Sequence, residues 1–318
     1  MALRWAGRSS HSVATPPSTS TEKTSELVMA AMVGRAARPG PPRGAARSAA
    51  YPAAVTIELR YRVVDVFSDR PLAGNALCVV LDPCPEPVMS AIAREVNLSE
   101  TTFPVVIAKG EYEMRIFTPS VELPFAGHPS LGTAWVLGPG TWTQHTQGAT
   151  VTVEADSDGA VMTQPDPELE RVDDDGVARA LGLPGVDGAY LARAGGIAHL
   201  LVPTSAPLEG LHPDPAAVEA VTRRLGGGGL APVRRIDDGT LHARYFVPGW
   251  GVAEDPGTGS AAGPIGILAR RLWGTSADVV VRQGDEIGRP CRIRVHAEEG
   301  AVRVGGGVTS SAQGNFTL

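Results

Sequence analysis

Short apolar, β-branched runs separated by polar turns dominate this chain, and only a few stretches carry a helical period. Residues 61–67 predict a strand ended by the turn Ser68-Asp69-Arg70-Pro71. Residues 76–81 return as a second strand, giving a hairpin-like unit. Pro85-Glu86-Pro87 opens a helix in which Val88, Ile92 and Val96 share one face, and Asn97 serves as its C-cap. Residues 98–101 connect it to a strand over 103–107. Farther along, 150–154 predicts a strand, 177–183 a short helix, 226–229 a glycine turn, and 278–282, 292–296 and 301–304 further strands. The polar, acidic stretch 165–175 is the expected crossing between two halves. Strands outnumber helices, which predicts an α+β fold with largely antiparallel sheets.

Two stretches, 115–137 and 244–270, use one pattern twice. Arg115, Phe117 and Pro119 recur as Arg244, Phe246 and Pro248 at an offset of 129. After one extra residue, Pro256, the turn Gly127-His128-Pro129-Ser130 falls on Gly257-Thr258-Gly259-Ser260. That spacing indicates a duplicated domain; a solenoid would need a shorter period and more copies. Each copy reads as strand, loop, helix N-terminus, followed by small residues. Free N–H groups and the positive end of the macrodipole make such a start suited to an anion, and glycine lets a carboxylate approach. Glycine inside a helix costs roughly 1 kcal/mol relative to alanine, so these helices are expected to be buried under close-packed strands. Pro264 implies that the second helix begins late or kinks.

Composition narrows the class. The 318 residues are 43% hydrophobic and 19% charged, which fits a soluble globular chain with room for two cores. No apolar run approaches the roughly 20 residues needed to span a bilayer. Residues 1–57 are rich in Ser, Pro, Ala and Arg and carry seven basic against two acidic side chains, so they are expected to form a disordered extension. The net charge of −6, set by the acidic remainder, argues against a nucleic-acid surface. Three cysteines without CxxC spacing, Cys78, Cys84 and Cys291, point to reduced thiols and a cytoplasmic protein, with Cys78 a buried strand residue.

Candidate chemistry centres on carboxylates and histidine. Glu100 stands at a helix-to-strand junction. There it is either a solvated surface group or a partly desolvated general acid/base. His128, between Gly127 and Pro129 at a positive helix end, is either a neutral proton carrier or a packing residue. Asp255 is either a cap for the second helix or a carboxylate aimed into a cleft. Neither HExxH nor paired His/Cys spacing appears around His199, His212 and His242, so no metal is expected. The glycines at 257, 259 and 263 have the wrong spacing for a dinucleotide loop, and neither a Walker lysine nor Gly-x-Ser-x-Gly is present. Cofactor-independent proton transfer on carbon is what remains.

At these residues the sequence resembles the PhzF-like family, relatives of diaminopimelate epimerase and proline racemase. The matching segments are Asp65-Val66-Phe67, Gly74-Asn75, Asn97-Leu98-Ser99-Glu100-Thr101, Phe117-Thr118-Pro119, Pro124-Phe125-Ala126-Gly127-His128-Pro129 and Glu254-Asp255-Pro256-Gly257-Thr258-Gly259-Ser260. The resemblance implies two pseudosymmetric domains, each a curved, mainly antiparallel sheet around a central helix, here residues 58–170 and 171–318. It implies that Glu100 shuttles the proton, that His128, Asp255 and Ser260 complete the catalytic set, and that Asn75, Gly127, Gly257, Thr258 and Gly259 bind a small carboxylate substrate. The two cysteines of the racemases have no counterpart at Ala126-Gly127 or near Gly257, so two-thiol chemistry is not expected. An isomerase acting as a homodimer is the expectation, and a non-catalytic protein that keeps the cleft to bind a small molecule is the alternative.

Overall fold

The computed structural model describes residues 57–318 apart from 187, 195, 196, 299 and 301. The extension expected over residues 1–57 lies outside the described residues except for Ile57, which exchanges backbone hydrogen bonds with Leu318. Strand β1 (Glu58–Val66) pairs antiparallel with β2 (Asn75–Val80). Helix α1 (Glu86–Val96) carries the chain to β3 (Glu100–Ala108), parallel to β2. It stops at Asn97, which takes the left-handed conformation at φ 52°. Then β3 pairs antiparallel with β4 (Glu111–Phe117), which pairs with the short β5 (Glu122–Leu123). Helix α2 (Gly127–Leu137) leads to β6 (Gly140–His145), parallel to β4, and β7 (Thr150–Ala155) and β8 (Gly159–Gln164) follow as antiparallel neighbours.

The same order recurs. After β9 (Glu168–Val172) and α3 (Asp175–Leu181), β10 (Ala189–Ala194) pairs antiparallel with β9 and with β11 (Ile197–Pro203). Helix α4 (Pro215–Leu225) leads to β12 (Gly229–Arg235), parallel to β11. β13 (Thr240–Ala243), β14 (Phe246–Val247) and β15 (Val252–Glu254) follow antiparallel, and α5 (Gly259–Trp273) leads to β16 (Asp278–Gln283), parallel to β13. β17 (Cys291–His296) and β18 (Val302–Thr317) complete the chain. α1 and α4, β3 and β12, and β4 and β13 begin 129 residues apart. The long β18 pairs with β17 and β8 near its start and with β1 over the rest, so the pairings from β1 through β8 close into a ring.

Inside lie α2 and α5, as their small residues demand. Leu131 and Ala134 of α2 pack among Val64, Leu77, Val153 and Met162, while Ala261, Ile265 and Leu268 of α5 share that core with Val281, Ile293 and Val302. A Cβ on Gly132 would stand 2.7 Å from Leu77 and 2.9 Å from Val66, so glycine there is set by the approach of the strands. α5 begins at Gly259, two residues past Gly257, and continues through Pro264. Lacking an N–H, Pro264 leaves the Ser260 carbonyl without its helical partner. Sheet pairing found more strand than periodicity did. The crossing at 165–175 contains β9, and the strand expected at 301–304 runs on to Thr317, through Gly- and Ser-rich sequence held by β1. Among the described residues no helix is long and apolar enough to cross a membrane.

The duplicated Arg-x-Phe pattern has a structural cause. Arg115 lies over the Phe117 ring and grips Glu122 with two nitrogens at 2.7 and 2.8 Å. Arg244 lies over Phe246, grips Glu254 at 2.8 and 2.6 Å, and also donates to the carbonyls of Leu208 and Leu211. The first pair is 30% and 24% exposed, the second 6% and 9%. Removing the buried arginine strands a carboxylate and two carbonyls. Arg244→Leu should therefore cost about 3–5 kcal/mol, and Arg115→Leu about 1 kcal/mol or less. Urea denaturation of the two variants checks this, and equal losses would contradict the role given to burial.

Candidate active site

The ends of four elements meet at one place. Glu100 is the first residue of β3, its register fixed opposite Leu77, so the expected connection 98–101 is already strand at its end. His128 lies in the first turn of α2, which starts at Gly127 and puts Pro129 third. Asn75 opens β2, and Asp255 lies between β15 and α5. The Asn75 amide nitrogen joins both stretches. It donates to Asp255 Oδ1 at 2.9 Å and to the Gly257 carbonyl at 3.0 Å, and lies 3.2 Å from His128 Nδ1. Thr258 Oγ1 donates to Asp255 Oδ2 at 2.5 Å, and Gln283, which sequence reading passed over, donates to Thr258 Oγ1 and to the Asp255 carbonyl. Asp255 caps no helix N–H: the N-cap of α5 is Thr258, without a side-chain hydrogen bond.

Burial sets the protonation states. His128 Nε2 lies 3.2 Å from Glu100 Oε2, the side chains being 5% and 13% exposed. The contact is not aligned as a hydrogen bond, and neither atom has another partner in the described structure. Desolvation, reinforced by the charge of Asp255, pushes the Glu100 carboxyl well above the usual range. Desolvation pulls His128 down to about 3 against an opposing backbone contact at Ala76. The contact is thus a carboxyl held toward its protonated form beside a neutral imidazole. Asp255 is also raised by burial, but its bonds from Thr258 and Asn75 work against that.

Glu100, His128, Asp255 and Ser260 all line one cavity open to solvent, as do Gly127, Thr258 and Gly259. Asn75 and Gly257 do not reach its wall; Asn75 holds Asp255 and His128 from behind, and the Gly257 carbonyl accepts from Asn75. The polar groups of Thr258 are engaged with Asp255 and Gln283. Sequence reading assigned no role to the apolar wall of Phe125, Tyr245, Val247 and Trp250, although these residues lie in or beside the motifs. At the cavity the starts of α2 and α5 abut. A Cβ on Gly127 would stand 2.7 Å from the Ser260 nitrogen, and one on Gly259 would stand 3.4 Å from the His128 nitrogen. Neither helix has a side-chain cap, so two positive ends face each other and an anion between them would relieve both. Among the described residues no group of three or more His, Cys, Asp or Glu is placed to hold a metal.

A mixed α+β fold around two buried helices is the fold of known epimerases. The hydroxyproline epimerase of Agrobacterium vitis, solved with bound trans-4-hydroxy-L-proline, has this fold: TM-score 0.58 at 13% identity, covering 82% of this chain and 93% of that one. The model of the phenazine biosynthesis-like protein family matches residues 64–314, and the chain belongs to that family. It is 37% identical over 286 residues to the trans-2,3-dihydro-3-hydroxyanthranilate isomerase of Pseudomonas aeruginosa, spanning 81% of this chain and 99% of that protein. The PhzF-family structure from Enterococcus faecalis matches with TM-score 0.70 at 28% identity over 82% of this chain and all of that one. The enzyme class is isomerase.

The buried imidazole makes stability depend on pH. Above about 6.5 His128 is neutral in both folded and unfolded chains; below it only the unfolded chain takes up the proton, until the folded ring titrates near 3. Its contribution is present at neutral pH and lost as pH falls through that window, by about 1.4 kcal/mol per pH unit. Denaturant unfolding between pH 6 and 4 should show a shallower acid loss in His128→Gln by that amount. Identical slopes would mean that the folded ring titrates normally.

Proposed function

We propose that this chain is a cofactor-independent isomerase in which Glu100 removes a proton from one carbon of a small carboxylate substrate and returns it to another. The observation that carries this reading is the Glu100 carboxyl itself, raised by burial and by Asp255 and set on a cavity wall beside a neutral His128. A carboxyl whose pKa is lifted toward neutrality can both take and give a proton at working pH. His128 orients it and offers a second uncharged nitrogen. Asp255, bonded by Thr258 and Asn75, stays the more anionic of the two carboxyls, and Ser260 presents its hydroxyl and N–H at the start of α5. The substrate carboxylate binds between the starts of α2 and α5 at Gly127 and Gly259.

The chain is read as two pseudosymmetric halves, 58–170 and 171–318, one around α2 and one around α5, with β18 serving both. Recurrence of helices and strands at an offset of 129 supports this. The Pseudomonas aeruginosa relative, by its name, acts on trans-2,3-dihydro-3-hydroxyanthranilate, a small cyclic carboxylate, and that class is the one proposed here.

The test is deuterium uptake in D2O, read by mass spectrometry with chromatography of the product isomer, across cyclic and amino-acid-derived carboxylates that include dihydrohydroxyanthranilate. Wild type should exchange or isomerise at least one of them, and Glu100→Gln should fall by about 100-fold or more. Full turnover by Glu100→Gln would remove the assignment. Binding by wild type without exchange or isomerisation would favour a protein that keeps the cleft only to bind.

A further inference from the structure

Glu100 has a positional counterpart in the second stretch, Gly229, 129 residues on. In the parallel ladder β2–β3 Leu77 stands opposite Glu100, and in β11–β12 His199 stands opposite Gly229. Where the first stretch places a carboxyl, the second places no side chain. Tyr245 fills the gap: a Cβ on Gly229 would meet its ring at 2.4 Å. Tyr245 lines the cavity, and its hydroxyl lies 2.7 Å from His199 Nδ1. The two rings meet edge to face at 5.6 Å, and both residues are at most 2% exposed.

We propose that Tyr245, oriented by His199, is a second substrate-binding group, donating a hydrogen bond to an oxygen substituent on the substrate other than its carboxylate. The proposal rests on the cavity being the substrate site. Burial pulls His199 down to about 3, so the ring is neutral and has one N–H, while its Nε2 is buried without a partner. With hydrogen on Nε2, a donor would be stranded and the phenol's hydrogen spent on Nδ1. With hydrogen on Nδ1, the ring donates to the phenol oxygen and only a lone pair is left over. Stranded buried donors are the rarer and costlier case. The second arrangement leaves the Tyr245 hydrogen free for another acceptor, and Tyr245 lines the cavity where a ligand could supply one. Burial and the charge of Asp255 raise the phenol's pKa, so it stays a neutral donor. His199, which does not line the cavity, is a positioning residue.

Titration calorimetry of the full chain with anthranilate and 3-hydroxyanthranilate, flat carboxylates without and with a ring oxygen, tests this. Wild type should prefer the hydroxylated probe by about tenfold or more. Tyr245→Phe should lose that preference while binding anthranilate as wild type does. His199→Asn, which keeps a polar group near the Nδ1 position, should retain part of it, and His199→Leu should lose it, with circular dichroism confirming folded protein. Glu100→Gln should keep the preference, so loss of the proton-transfer reading and loss of this one are separable. An unchanged preference in Tyr245→Phe, or a wild type that binds the probes alike or binds neither, overturns the proposal.

Discussion

Backbone pressed on backbone at the starts of α2 and α5 is the constraint on which the rest of the site depends. Gly127 leaves no room for a Cβ against the nitrogen of Ser260, and a Cβ on Gly259 would be in van der Waals contact with the His128 nitrogen. That approach puts Glu100 and His128 from one stretch and Asp255 and Ser260 from the other on one cavity. It also sets two uncapped helix ends toward each other, an arrangement that is electrostatically unfavourable until something negative lies between them. The same approach buries the titratable groups, and their shifted proton affinities follow from burial.

Repetition of a pattern has not repeated its energetics. The Arg-Phe-Glu arrangement is built twice with the same contacts, yet the Arg115 copy is screened by water and the Arg244 copy is not. The stability carried by the motif is therefore concentrated in the second stretch, where Arg244 also satisfies two carbonyls of the segment after β11. Divergence is sharper at the cavity. Position 100 carries a carboxyl and position 229 has only a hydrogen, its space filled by Tyr245 from the connection between β13 and β14.

What could be read from the sequence is what local chemistry writes into it. The glycine turns, the apolar face of α1 and the left-handed cap at Asn97 are short-range signals, and they appear where expected. Long-range pairing leaves weaker marks. The second part of β18 is strand because β1 accepts it, although Gly314 and its Ser and Gln neighbours have no strand pattern of their own. Glu100 and His128 could be singled out because they sit on motifs, but their contact requires β3 and α2 to meet. Gln283 and His199 lie in ordinary strand sequence and Tyr245 between β13 and β14, and all three become visible only through their hydrogen bonds. Pro264 raised a conflict that a late start does not remove: α5 begins at Gly259 and still carries Pro264 in its interior, so the Ser260 carbonyl lacks its helical partner.

In the proposed reaction a carboxylate substrate would bring a third negative group beside Glu100 and Asp255. Added alone, that charge would raise the Glu100 affinity for its proton further, until the carboxyl could no longer serve as a base. No lysine or arginine lines the cavity to offset it, so compensation falls to the helix starts. Each supplies roughly half a positive charge, carried by N–H groups that cannot move away or titrate. Two abutting starts together would neutralise about one carboxylate. Balanced in that way, the substrate's charge would not push the Glu100 carboxyl further toward its protonated form, which a reaction that takes a proton and gives it back requires. On this argument the repeated helix start serves the chemistry by supplying a pair of dipoles, while the acid/base group at position 100 has no counterpart at position 229.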